Sequence, residues 1–358
     1  RAAMGALYPA YVHFVSNRSV LVLTGWLVVN LAWFAAFYTL RYSQGFVNNC
    51  FARAMAHVNL LNLGLLLLPV SRGSPLLERL RLPFEKALFY HRFLARAFLA
   101  SVLLHAGAWL AYWTWLSASA SAAAGQAAFC GAGVPGAVCL STSWAYLAQV
   151  GGLAAAGAAA LFLAMAALAA EPVRRRAFEA FYYGHHAFLL AVPLALLHSL
   201  YAQVAVYGWA TDLSLLYLAP GLALYAYDRA VRLRRSRLVA RELIALRPYH
   251  IRGGVTVLEV HRDALAFRPG QYCFLNVPAV SHLQWHPFSI SSAPGAPVLT
   301  FHIKSMGAGS WSAEVNATAV RLAGEVGQSL GNLSLRPLTF HDALEVKVDG
   351  PYGAGHAP

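Results

Sequence analysis

Long apolar stretches constrain this chain more than any other feature. About 20 consecutive apolar residues in a helix span a bilayer. Six stretches qualify: 19–40, 51–70, 88–116, 143–170, 180–202 and 213–230. Of the 358 residues, 59% are hydrophobic and only 11% are charged, against about 25% charged in an ordinary soluble domain. A disordered tail and a simple soluble enzyme are both excluded. The charge is also unevenly placed. Residues 1–230 hold 14 Lys/Arg and 6 Asp/Glu, whereas the shorter 231–358 segment holds 13 and 8. The sequence therefore predicts an integral membrane protein: a six-helix transmembrane bundle over 1–230, then a soluble domain over 231–358. The net charge of +13 raises nucleic acid as a partner. The basic residues punctuate apolar segments instead of forming a surface stripe, so the expected partner is the lipid bilayer and not nucleic acid.

The basic residues also predict the orientation. One set of connections carries Arg18; Arg72, Arg79, Arg81 and Lys86; Arg174, Arg175 and Arg176; and the arginines from 229 to 237. The opposite set carries only Arg41, and the 117–142 and 203–212 connections contain no Lys or Arg. The N-terminus and the whole C-terminal domain are thus expected to be cytoplasmic. The first span lacks the small-residue cleavage site of a signal peptide. The chain begins at Arg1, not Met, so further N-terminal sequence is expected. Cys130 and Cys139 fall in the expected outer loop, where a disulfide is plausible. The sequons at Asn17, Asn316 and Asn332 fall on the cytoplasmic side and read as chance matches.

Ionisable groups inside a membrane are costly and mark function. The third span carries His91 and His105, and the fifth carries His185, His186 and His198. A lone buried histidine is more often a hydrogen-bonded core residue. Two spans each carrying a widely spaced pair point instead to haem, whose iron commonly takes imidazole ligands. The fourteen-residue spacing from His91 to His105 advances a helix by about 21 Å and leaves the side chains about 40° apart. They share one face, one near each membrane surface. His185 to His198 is thirteen residues, which leaves about 140° in an ideal helix. Pro193 lies between them and is expected to disturb the helix. Arg53 sits near the outer end of the second span. It is either a snorkelling arginine or a cation facing a haem propionate or an anionic intermediate. His57, one turn deeper, is expected to be structural.

Residues 231–358 alternate as short strands with turn signals. Candidates are 254–262, 270–278, 297–305 and 344–349, which suggests a small antiparallel β-barrel. Between them, His286-Pro287-Phe288-Ser289 reads as a rigid turn presenting an aromatic and a hydroxyl to a flat ring. Gly307-Ala308-Gly309-Ser310 precedes a helical stretch to about Leu322. Such a helix start can hold a pyrophosphate, or be an ordinary strand-to-helix loop.

Several motifs in order then resemble the NADPH oxidases of the ferric-reductase superfamily. They are Ala52-Arg53-Ala54 with the 65–70 run; Arg174-Arg175-Arg176 through Gly184-His185-His186 to His198; and Pro269-Gly270-Gln271-Tyr272 through Trp285-His286-Pro287-Phe288-Ser289. Phe301-His302-Ile303-Lys304 and Asp349-Gly350-Pro351-Tyr352-Gly353 follow in the family's order. The resemblance covers nearly the whole chain. It implies two b-type haems, with His91 and His185 ligating the inner iron and His105 and His198 the outer. It implies FAD lined by His286, Pro287, Phe288 and Ser289, with Ile303, Lys304, Gly307 and Ser310 near the pyrophosphate or ribose. Arg53 matches the family's oxygen-site arginine. The implied reaction moves electrons from cytoplasmic NADPH through FAD and the haems to dioxygen outside, giving superoxide at the plasma membrane.

Two departures accompany this resemblance. Oxidases of the family usually carry another His one turn after the outer ligand of the third span, where this chain has Trp109. That keeps a ferric or cupric reductase, acting on a metal chelate, as the alternative. The family also continues into a nucleotide-binding domain, so the NADPH site is expected beyond Pro358. A haem-only cytochrome served by a separate reductase, or a scaffold protein, would lack flavin or both cofactors.

Overall fold

The computed structural model describes residues 17–43, 49–71, 75–80, 82, 84–119, 124, 144–207, 214–238, 240–249, 254–261, 266–325 and 345–353. The expected disulfide between Cys130 and Cys139, and the sequon at Asn332, lie outside these residues. The described chain forms two compact units. One comprises residues 1–71 and 88–225, the other 72–87 and 226–358.

The first unit is helical; Pro75–Arg79, the start of the Phe84–Ala118 helix and the end of the Ser214–Leu238 helix fall in the second. In chain order the helices are α1 (Asn17–Ser43), α2 (Cys50–Leu67), α3 (Pro75–Arg79), α4 (Phe84–Ala118), α5 (Val150–Ala169), α6 (Glu171–Arg176), α7 (Phe178–His185), α8 (Phe188–Tyr207) and α9 (Ser214–Leu238). A 3₁₀ turn over Trp144–Ala148 leads into α5. Among the described residues, five helical segments are long and apolar enough to cross a membrane: Ser19–Ser43, Cys50–Val70, Lys86–Ala118, Val150–Ala169 and Phe178–Ala202. The expected sixth span is a continuous helix, α9, but it does not qualify on the same terms. Its apolar first half runs without a break into the arginines of 229–237.

Buried polar contacts and small residues fix these helices against one another. The Trp26 indole N–H donates to Asn62 Oδ1 at 2.8 Å, and Asn62 Nδ2 donates to Asn30 Oδ1 at 2.7 Å. Asn30 Nδ2 returns to the Trp26 carbonyl at 2.9 Å, closing a circuit between α1 and α2. Where α2 crosses α9, two glycines face each other. A Cβ on Gly64 would overlap the Tyr217 carbonyl, and one on Gly221 would lie 2.7 Å from Leu67 Cβ and 2.9 Å from the Gly64 carbonyl. Small residues allow this approach where lipid supplies no hydrophobic drive between helices.

The fifth span is broken, but not at the expected place. Pro193 sits inside α8. The break lies at His186–Ala187, between α7 and α8. There the N–H groups of His186, Ala187, Leu189 and Leu190 bond to carbonyls three residues back, at 3.0–3.1 Å. Such 3₁₀ winding advances about 120° per residue instead of about 100°. Four residues so wound recover about 80° of the roughly 140° mismatch expected between His185 and His198.

The second unit is built on an antiparallel sheet. Its strands are β1 (Ala240–Tyr249), β2 (Val255–His261), β3 (Tyr272–Asn276), β4 (His286–Ser289), β5 (Val298–Lys304) and β6 (Glu345–Tyr352), with helix α10 (Trp311–Glu325) after β5. The order is β4-β3-β6-β1-β2-β5. The expected barrel thus appears as a six-stranded sheet whose edge strands, β4 and β5, form no ladder with each other among the described residues. Just past β4, the Ser291 N–H donates to the Thr300 carbonyl at 2.9 Å, and the Thr300 N–H to Ser292 Oγ at 3.2 Å. These bonds draw the two edges together. Alternation puts Leu258 and Val260, Cys273 and Leu275, Leu299, Phe301 and Ile303, and Val346 and Val348 into one core. Trp311, Val315 and Ala319 of α10, spaced four apart, complete it. Asn316 donates to Thr256 Oγ1 at 2.9 Å, so this sequon has a packing role.

Candidate functional site

The two widely spaced histidine pairs meet across the helices. The His91 and His185 ring centroids lie 6.2 Å apart, and those of His105 and His198 lie 6.3 Å apart. Two imidazoles sharing one metal through facing nitrogens stand about 6.2 Å apart, from a bond of about 2 Å and a ring radius of about 1.1 Å on each side. Among the described residues no three His, Cys, Asp or Glu side chains converge to hold a metal. What converges is pairs, which suits an iron whose other four ligands come from a porphyrin.

The backbone settles which nitrogen faces inward. His91 Nδ1 lies 3.1 Å from the Leu66 carbonyl, His105 Nδ1 2.8 Å from that of Ala52, and His198 Nδ1 3.0 Å from that of Gly151. A carbonyl can only accept, so Nδ1 carries the proton and Nε2 keeps its lone pair for a metal. His185 Nδ1 is buried and has no hydrogen-bond partner among the described residues. The family-implied ligand pairing is thus geometrically consistent, and these residues fit haem.

Around the outer pair lies a cavity of about 320 Å³, lined by His105, His198, Arg41, Arg53, His57 and Trp109 among mostly apolar side chains. Alanines from α4, α5 and α8 keep one wall thin. Arg53 Nε donates to Asn49 Oδ1 at 3.0 Å, and its guanidinium carbon lies 5.3 Å from the Trp109 ring centroid, within cation–π range. The residue that departs from the family pattern therefore touches the candidate oxygen-site arginine directly. His57 is held by Arg41, whose guanidinium lies 3.0 Å from its Nε2, and it stacks on Phe37 with centroids 3.7 Å apart. It also lines the cavity.

His286-Pro287-Phe288-Ser289 is a strand, not a turn. β4 is an edge strand, where a proline costs no ladder bond. The strand divides the four side chains between two faces. Pro287 and Ser289 are exposed and stand opposite Phe274 and Tyr272 of β3. With Tyr352 of β6, those rings form a cluster with centroids 5.6–6.0 Å apart. His286 and Phe288 are half-buried on the other face, stacked against Trp311 at 4.5 and 5.9 Å. One flat ring cannot meet all four side chains on one face of the sheet, though the free edge of β4 is open to both pairs. Burial lowers the pKa of His286 from its usual value to about 4, so it is neutral at physiological pH.

The expected phosphate-side residues also divide. Ile303 is fully buried in the core, leaving only its backbone for a ligand, whereas Lys304 is exposed. Gly307 and Gly309 have φ of +108° and +77°, and the space beside both is open. Ser310 caps α10: its Oγ accepts from the Ala313 N–H at 3.2 Å and donates to the Gly307 carbonyl at 2.7 Å.

Two family models overlap these sites, with Arg53 and His198 just outside the first match. Residues 55–196 match the ferric reductase like transmembrane component, and residues 246–356 match an FAD-binding domain. The chain thus combines a stretch like the ferric reductase transmembrane component with one like an FAD-binding domain. Respiratory burst oxidase homolog protein A of Solanum tuberosum is 34% identical over 51% of this chain and 18% of its own length. Probable respiratory burst oxidase homolog protein I of Arabidopsis thaliana is 29% identical over 94% of this chain and 38% of its own length. Respiratory burst oxidase homolog protein C of Solanum tuberosum is 28% identical over 97% and 39% respectively. The chain thus spans at most about two fifths of the length of these relatives.

Several residues beside these sites carried no motif. Asn49, one helical turn before Arg53, and Tyr146, which only tertiary contact brings to His198, are ordinary residues near helix starts. The alanine-rich run of α5 was a readable signal, because so many small side chains on one helix imply a close neighbour or a cavity wall. Trp311 directly follows the Gly307–Ser310 loop and could have been read as an aromatic partner for β4.

Proposed function

We propose that this chain is the electron-conducting part of an NADPH oxidase, carrying electrons from cytoplasmic NADPH through FAD and two b-type haems to dioxygen on the outer side, with superoxide as product. The observation that carries this reading is the pair of His–His separations, 6.2 and 6.3 Å, with Nδ1 of three rings turned to backbone carbonyls. The six spans of 1–230, with α9 as the last, return the flavin domain of 231–358 to the side where the chain starts. That side is the cytoplasm by the arginine distribution, and the plasma membrane is the proposed site.

When bound, FAD accepts a hydride and releases single electrons, which the two haems relay across the bilayer. His91 and His185 would hold the inner haem, and His105 and His198 the outer. The free edge of β4 would receive the flavin ring, with Ser289 and Pro287 on one face and Phe288 and His286 on the other. Lys304 and the open Gly307–Ser310 loop would lie toward its phosphates. Residues forming the outer cavity exclude water with apolar walls, and Arg53 supplies positive charge for an anion forming there.

A second reading, ferric or cupric reduction, rests on the identity of Trp109, which stands where oxidases of the family carry histidine. The full-length protein in membranes distinguishes the two. Superoxide formation that is lost in Arg53→Ala, with both haems retained, is expected. Robust ferric reduction without superoxide would overturn the oxidase reading.

A further inference from the structure

The outer histidine pair differs from the inner one in what its Nδ1 atoms meet. Among the described residues the inner pair has one Nδ1 hydrogen bond, from His91 to Leu66, and His185 Nδ1 has none. In the outer pair, His105 meets the Ala52 carbonyl, and His198 meets both the Gly151 carbonyl and the Tyr146 hydroxyl, the latter at 3.1 Å. Tyr146 is buried and comes from the 3₁₀ turn before α5. The space it occupies depends on a missing side chain, because a Cβ on Gly151 would lie 2.6 Å from the Tyr146 hydroxyl. The same glycine therefore offers its carbonyl to His198 and leaves room for the second acceptor.

We propose that Tyr146 is a positioning and tuning residue for the outer haem, its hydroxyl oxygen sharing the His198 Nδ1 proton with the Gly151 carbonyl. This rests on the reading that His105 and His198 ligate a haem. With Nε2 on iron, Nδ1 carries the hydrogen and Tyr146 Oη accepts it. A second acceptor pulls the Nδ1 proton outward and makes the imidazole a stronger electron donor to iron. Stronger donation stabilises the oxidised metal, so the hydroxyl lowers the potential of that haem alone.

Tyr146→Phe removes the hydroxyl and leaves the ring, which packs near Trp113 and Tyr201 with centroids 6.4 and 6.3 Å away. Spectroelectrochemical titration of the full chain in detergent is the test, with the low-spin haem spectrum as a second readout. Tyr201→Phe is the control, since its hydroxyl bonds Gln149 and not a histidine. The expected result is an upward shift of one midpoint in Tyr146→Phe, the other unmoved, both haems retained, and no shift in Tyr201→Phe. Two unmoved midpoints, or equal shifts in both variants, overturn the proposal. Loss of one haem from Tyr146→Phe also overturns it, because the hydroxyl would then hold the cofactor instead of tuning it. Wild-type protein without two bis-histidine haems would instead sink the underlying ligand assignment.

Discussion

Lowering the pH should loosen the flavin domain through His286. This imidazole stacks on Trp311 at 4.5 Å and lies 3.4 Å from Gln284 Oε1. Burial holds its pKa at about 4, against about 6.5 for an unfolded histidine. The unfolded chain therefore binds more protons below pH 6.5, and stability falls as pH drops until the folded state also protonates near pH 4. For a full shift, linkage gives a loss of about 2 kcal/mol between pH 7.5 and pH 5. His286 is only half-buried, and solvent screening reduces this to about 1 kcal/mol. Hydrogen exchange at the β5 amides of the intact chain, corrected for intrinsic rates, reads the local free energy at both pH values. His286→Gln removes the titration and should flatten the pH dependence by about that amount. Equal pH slopes in the wild type and His286→Gln would refute the reasoning.

Other consequences can be checked separately. His105→Ala should reduce haem content from two per chain to one while the domain stays folded, as read by pyridine haemochrome assay against protein concentration. An unchanged count would remove His105 from the ligand set. Gly64→Leu should overlap the Tyr217 carbonyl at the α2–α9 crossing. Overpacking of this kind costs about 1–3 kcal/mol, visible as a lower unfolding midpoint in detergent. A midpoint equal to wild type would mean that the crossing is not as close as described.

What the sequence reveals follows from what each feature depends on. Apolar length is local, so the five qualifying spans and the strands near 254–262, 270–278 and 297–305 stand out in it. The His91 and His105 spacing within α4 is likewise local arithmetic. The break at His186–Ala187 is not visible in the sequence, because nothing in Gly-His-His-Ala marks a 3₁₀ turn, whereas a proline such as Pro193 is a standard mark of a kink. Helix α8 absorbs that proline instead. β1 escaped notice because Arg241, Glu242 and Arg247 interrupt its apolar pattern. Pro287 suggested a turn because a single sequence does not show which strand will lie at a sheet edge. Tyr146 depends wholly on tertiary contact, whereas Asn49 lies one turn from Arg53 and carried no motif. Arg41 counted only as the outlier in the charge distribution, yet it lines the same cavity as Arg53.

The choice of acceptor comes down to the Arg53–Trp109 contact. A guanidinium inside a membrane needs compensation for lost water. Asn49 supplies a hydrogen bond and Trp109 supplies the negative face of its ring. An indole face attracts a cation, but it offers no titratable proton. Histidine at 109 would offer one, and in its charged form it would repel Arg53. With Trp109 in place, the cavity wall at this position supplies fixed charge stabilisation without proton transfer. That suits a one-electron product leaving as an anion, which is superoxide if dioxygen is the acceptor. Trp109→His in the full-length protein isolates this effect, since Arg53 and the four histidines are untouched. A rise in peroxide formed directly, relative to superoxide, is expected. An unchanged product ratio would mean that position 109 does not govern the protons reaching the cavity.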